Sequence, residues 1–140
     1  MGKINMRRVI LGGIIAGVII NVVEGVLNGA LASQWSDAAK AIGRSATMST
    51  RQVVAFNVWG FAAGIIAIWL YAAMRPRFGA GPRTAIQAGA AVWLLSYAMA
   101  NAILAFLHIY PLGLLLTVTA VGFVEVLVAA TAGAYFYREP

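Results

Sequence analysis

The chain contains no cysteine and little charge, and acid is scarcest of all, with four acidic residues in 140. Without cysteine there are no disulfides, thiolate metal sites, iron–sulfur clusters or thiol chemistry. Charged residues make up 10% of the chain, against ~25% in a soluble domain, too few to clothe a water-facing surface. There is one histidine, His108, so a haem with two histidine ligands needs a second copy of the chain. No nucleophile–base–orienter set, metal-binding helix motif or nucleotide loop is present, and the chain reads as non-enzymatic.

What is present is apolar: 62% of residues, with a mean hydropathy of +0.87. Four runs reach the ~20 residues that cross a bilayer, at about 9–32, 53–73, 84–107 and 112–137. The expectation is a single domain over 1–140: an all-α polytopic membrane protein with four transmembrane helices in an up-down bundle. A net charge of +6 suggests nucleic acid in a soluble domain, but here the basic residues fall between apolar runs and read as topology signals. Lys3, Arg7, Arg8, Arg75, Arg77, Arg83 and Arg138 fall on one side, against Lys40, Arg44 and Arg51 on the other. The positive-inside rule then makes both termini cytoplasmic, in the cell's inner (cytoplasmic) membrane. Trp59, Trp69, Tyr71, Tyr97, Tyr110, Tyr135 and Tyr137 are assigned to the aromatic belts. The basic N-terminus, apolar run and Ala30-Leu31-Ala32 also fit a signal peptide. That run exceeds the ~7–15 residues of a signal core, so retention as a span is expected.

Two connections carry pattern. Trp35, Ala38, Ala39 and Ile42 recur at helical spacing before Gly43, which predicts a short interfacial helix in the first outer loop. The stretch 75–83 reads as a tight cytoplasmic turn whose Arg75, Arg77 and Arg83 attract anionic lipid.

Two acids interrupt the apolar runs. Glu24 is the only charge between Arg8 and Asp37, and Glu125 the only one between Arg83 and Arg138. Twelve aliphatic residues of the first run contribute about −5 kcal/mol to insertion against about +3 for the carboxylate, so the helix inserts with Glu24 turned toward other helices. Gly13, Gly17, Asn21, Glu24 and Asn28 share one face of that helix. Asn57, Gly60, Gly64, Ala67 and Tyr71 share a face of the second, and Gly122, Glu125, Ala129 and Gly133 a face of the fourth. In the third, Gln87, Leu94, Asn101 and His108 are spaced by sevens. Gly13, Gly17, Gly60 and Gly64 suit close helix packing. From a rise of ~1.5 Å per residue, Glu24, Asn57 and Asn101 lie ~6–9 Å to the outer side of the bilayer centre, with Asn21 and Glu125 near it. Glu24, Glu125, Asn21, Asn57 and Asn101 therefore form a candidate intramembrane site for a proton or ligand. Hydrogen-bonding glue between helices is the other reading, although such bonds contribute only ~0.6 kcal/mol each. His108, at the outer end of the third run, is a candidate ligand to haem or a pigment magnesium.

Tyr71-Ala72-Ala73-Met74-Arg75-Pro76-Arg77-Phe78-Gly79, followed by Gly81-Pro82-Arg83-Thr84-Ala85, resembles a group of small bacterial four-helix membrane proteins of uncharacterised function. The likeness extends over the first three runs and implies architecture without activity. The small multidrug resistance transporters offer an analogy, with four helices and a membrane-embedded glutamate in the first, the place Glu24 holds. The second glutamate, the long outer loop and the charge bias depart from that pattern. Two functions are open on this reading. One is a structural or accessory subunit of a membrane complex, pigment-bearing or respiratory, or a binder of a small lipophilic ligand. The other is a proton-coupled small-molecule transporter using Glu24 and Glu125. The glycine-rich faces suggest a homo-oligomer or larger partner beyond the lipid bilayer, no nucleic acid is implied, and no cofactor is specified.

Overall fold

In a computed structural model, which describes residues 3–139, the chain is all-α. Four helices are long and apolar enough to span a membrane: α1 (Met6–Ala30), α3 (Thr50–Phe78), α4 (Pro82–Phe106) and α5 (Leu112–Tyr135). A fifth, α2 (Ala32–Ala41), follows α1 after one residue. Long helices suit this composition because each satisfies its own backbone hydrogen bonds, as hydrocarbon requires.

Local chemistry sets the ends. The Asn5 side chain caps α1 by accepting from the Arg8 amide at 3.3 Å. Ser49 and Gln52 form a reciprocal capping box at the start of α3. Gly79 and Gly81, at φ 84° and 133°, make the turn into α4, which begins on Pro82.

Helix α1 packs against α3 and α5, and α4 packs against the same two, so α1 and α4 lie on one diagonal of the four. Glycine makes the close approaches. A Cβ on Gly64 would lie 2.5 Å from the Gly13 carbonyl oxygen, and one on Gly12 would lie 2.5 Å from that of Gly133. Gly17 abuts Phe61, and Gly60 abuts the Asn21 amide. The packing glycines read from the sequence are thus consumed between helices of one chain. Around them lies a buried core of Val9, Ala16, Ile20, Ile68, Ala72, Ala88 and Ala129. Ile14, Val18, Val22, Ile66, Leu95, Leu116, Val124 and Val128 point outward, an apolar exterior suited to lipid.

The two ends differ. At the end bearing the termini, the Asn5 amide donates to the Tyr137 hydroxyl and the Asn5 side chain to the Arg138 carbonyl, both at 3.3 Å. At the opposite end Gly25, Gly29 and Gly113 have no neighbouring heavy atoms within 4 Å, and residues 51–59 of α3 are all exposed.

Several expectations need correction. The stretch 75–83 is not all turn, because α3 runs through Arg75, Pro76 and Arg77 to Phe78, and the turn itself is residues 79–81. Pro76 has no N–H to give the Ala72 carbonyl, so α3 lacks one backbone hydrogen bond near its end. Arg75 is not presented to lipid. Its guanidinium lies over the Tyr137 and Tyr71 rings, 5.2 and 5.8 Å from their centroids, and 3.5 Å from a Glu139 carboxylate oxygen. Arg77 and Arg83 are exposed. Substituting Glu139→Gln is expected to cost under ~1 kcal/mol in a thermal melt, since the pair is partly open to solvent. Finally, α2 uses part of its apolar face on the protein: Ala38 is buried, and Trp35 meets Tyr110 edge-on with centroids 5.5 Å apart.

Candidate functional site

The third run hides an irregularity. Residues Leu94–Ala98 of α4 form a π turn, in which the Met99 amide reaches back five residues to the Leu94 carbonyl. A π turn inserts one extra residue into a helix and rotates the remainder of the helix by ~100°. The seven-residue spacing from Gln87 to His108 therefore does not trace one face. Gln87 is exposed on one side of the turn, while beyond it Asn101 turns inward. Both flanks of the turn are fastened to Thr119 of α5. Trp93 Nε1 donates to the Thr119 carbonyl at 2.9 Å, and Asn101 Nδ2 to the Thr119 hydroxyl at 2.8 Å. The Trp93 ring also packs edge-on against Phe123, with centroids 4.8 Å apart.

The π turn carries Tyr97, which reaches across the bundle. Its hydroxyl lies 2.5 Å from Glu24 Oε1 on α1 and 3.1 Å from Glu125 Oε1 on α5. Gly122, one turn before Glu125, leaves room for the ring, because a Cβ there would meet Tyr97 Cδ1 and Cε1 at 2.6 Å. Asn28 completes the group by donating to Glu24 Oε2 at 2.6 Å. Glu24 is half-buried and Glu125 is 3% exposed, with its Oε2 lacking a hydrogen-bond partner among the described residues. The two acids that stood alone in sequence are thus one phenol apart.

Hydrogen counting shows what this group can do. A phenol has one hydrogen and can donate to only one of the two carboxyls. Two ionised carboxylates would leave the other without a donor, facing like charge in low dielectric. The geometry is satisfied when the carboxyl pair holds one proton: Tyr97 donates to one carboxylate and accepts from the acid form of the other.

The remaining residues read from the sequence divide into separate sets. Asn21 Nδ2 donates to the Gly17 carbonyl at 2.9 Å and to the Asn57 carbonyl at 3.2 Å, which ties α1 to α3. Asn57 is itself exposed and donates back along α3 to Val53. Asn101 serves Thr119. Asparagines and acids thus form three clusters instead of one layer. Asn101→Leu is expected to lower stability by ~1 kcal/mol, the scale of such bonds in membranes, read by unfolding in detergent. His108 is exposed in the turn after α4 at φ 52°, with Nδ1 3.1 Å from the Phe106 carbonyl oxygen, and joins none of these clusters. Among the described residues no three His, Cys, Asp or Glu side chains gather as a metal site.

Tyr97 was legible in the sequence only as a belt aromatic. Its distance from either end of the third run was the available signal. No protein-family model, curated protein or solved structure matches this chain. The likeness around Tyr71–Ala85 accordingly implies architecture and nothing further, and function rests on the site.

Proposed function

We propose that the protein is a non-enzymatic multi-pass protein of the bacterial cytoplasmic membrane, an up-down bundle with both termini cytoplasmic, that binds a small lipophilic ligand in exchange for a proton. The exchange takes place at Glu24 and Glu125, and coupling it to movement of the ligand is proton-coupled transport. One observation carries this reading: a single tyrosine hydroxyl joins two carboxyls from different helices, with no basic side chain beside them. Glue between helices does not need two acids where one amide suffices, as the bond from Asn21 to α3 shows. A lipophilic cation is the fitting ligand class, because it replaces the shared proton without changing the net charge held in hydrocarbon. The test is proton release from purified protein in weakly buffered micelles on addition of tetraphenylphosphonium. Protein that neither binds this cation nor releases protons overturns the proposal.

The second reading, an accessory subunit, is favoured by α3. Its residues 51–59 are exposed, including Phe56, Val58 and Trp59, which suits a partner helix as well as lipid. Gentle extraction followed by intact mass measurement separates the two. A large assembly of other chains supports the subunit reading, and a single chain or small homo-oligomer supports the binder.

A further inference from the structure

We infer that Tyr97 is the proton relay between Glu125 and Glu24, and that the π turn of α4 is what places it in the path. The inference deepens the reading above and rests on it for biological meaning, although its test needs no ligand.

The path has two steps of hydrogen-bond length, 3.1 Å from Glu125 to the phenol oxygen and 2.5 Å from there to Glu24. In the transfer, the O–H bond on Glu125 Oε1 breaks as its proton joins the Tyr97 oxygen. Tyr97 releases its own hydrogen to Glu24 Oε1, where a new O–H bond forms. Glu125 ends ionised, Glu24 ends neutral, and the phenol ends as it began with a different hydrogen. One proton has moved from a buried carboxyl to a half-buried one without an isolated charge on tyrosine. Asn28, donating to Glu24 Oε2, stabilises the ionised form of Glu24 from which the cycle starts.

Position depends on the turn. Trp93 before it and Asn101 after it are both held on Thr119, so the turn is clamped from both sides onto α5. Between these anchors the extra residue swings Tyr97 toward α1, and Gly122 provides the socket for its ring. A regular α-helical segment would turn residue 97 away from this direction by a large part of the ~100° that one extra residue adds. Single π turns occur frequently at functional sites.

The test is hydrogen–deuterium exchange at the carboxyl groups, followed by infrared spectroscopy of protein carrying 13C-labelled glutamate in bilayers. Glu24→Gln and Glu125→Gln assign the bands. Tyr97→Phe keeps the ring in its socket and removes the hydroxyl. It is expected to slow deuteration of the Glu125 acid by on the order of a hundredfold, the lower range for loss of a positioned proton-transfer group. Gly122→Ala retains the hydroxyl but displaces the ring, and is expected to slow exchange likewise. Trp93→Phe keeps a ring against Phe123 but releases the leading flank of the turn from the Thr119 carbonyl, and is expected to slow exchange several-fold. Wild-type exchange in Tyr97→Phe overturns the relay, as does the lack of any protonated glutamate band in the wild type. Wild-type exchange in Trp93→Phe, with helicity and melting unchanged, overturns the role of the turn. Because no cation is added, failed ligand-linked proton release leaves this result intact, and the converse also holds.

Discussion

Glu24→Gln is expected to abolish proton release when tetraphenylphosphonium is added, while leaving the fold nearly unchanged. The amide occupies the same volume and its oxygen still accepts from the Tyr97 hydroxyl, so packing and hydrogen bonding across the bundle persist. What disappears is the second carboxyl. Without a second carboxyl on the Tyr97 hydroxyl there is no shared proton for the cation to displace. Proton release should fall from near one per ligand bound to below ~0.1, a shift of ~1.4 kcal/mol or more in the linked equilibrium. Glu125→Gln should behave alike, because it too removes one of the two carboxyls that meet at the Tyr97 hydroxyl. If both variants release protons as the wild type does, the carboxyl pair is not the coupling group.

Gly64→Val is expected to produce the largest loss of stability of any single change in α3. The added Cβ would sit 2.5 Å from both the Gly13 carbonyl oxygen and the Gly17 nitrogen, and backbone cannot rotate aside as a side chain can. Helices α1 and α3 must separate, which forfeits contacts along the crossing and strains the Asn21 bond to the Asn57 carbonyl. Overpacking of this kind costs about 3 kcal/mol, and Gly64→Ala about 1–2 after its gain in helix propensity of ~1 is offset. Thermal or denaturant unfolding in detergent measures both. A Gly64→Val protein as stable as the wild type would show that the helices do not meet there. Gly25→Ala is the control, since a Cβ at that position meets no neighbouring heavy atom within 4 Å.

Architecture was legible in the sequence because it depends on quantities that add along the chain. Hydropathy summed over ~20 residues located all four long helices, and small residues at four-residue steps identified the faces that meet. Glu24 and Glu125 were conspicuous because a charge amid aliphatics has no cheap explanation. Helix boundaries were shorter than the structure at Thr50 and Phe78, because hydropathy ends where charge begins, whereas capping by Ser49 and the turn at Gly79 decide where the helix ends. The link between the acids was not legible. A π turn has no residue signature, and without it the spacing puts Asn101 and His108 on one face and leaves Tyr97 off it. The pairing of Arg75 with Glu139 spans most of the second half of the chain, and nothing local announces it.

The contrast between the two ends of the bundle has a mechanical consequence. Where glycines bring backbones into contact, α1 and α3 are fused, whereas a Cβ on Gly25 or Gly29 would meet no neighbouring heavy atom within 4 Å. Such a molecule hinges beyond Asn21, the last α1 side chain bonded to α3 among the described residues. A tilt of ~5° there moves the Glu24 level, three residues away at ~1.5 Å each, by ~0.4 Å. That displacement keeps the Glu24 contact with Tyr97 within hydrogen-bond length. The tips can therefore part while the link between the carboxyls stays closed.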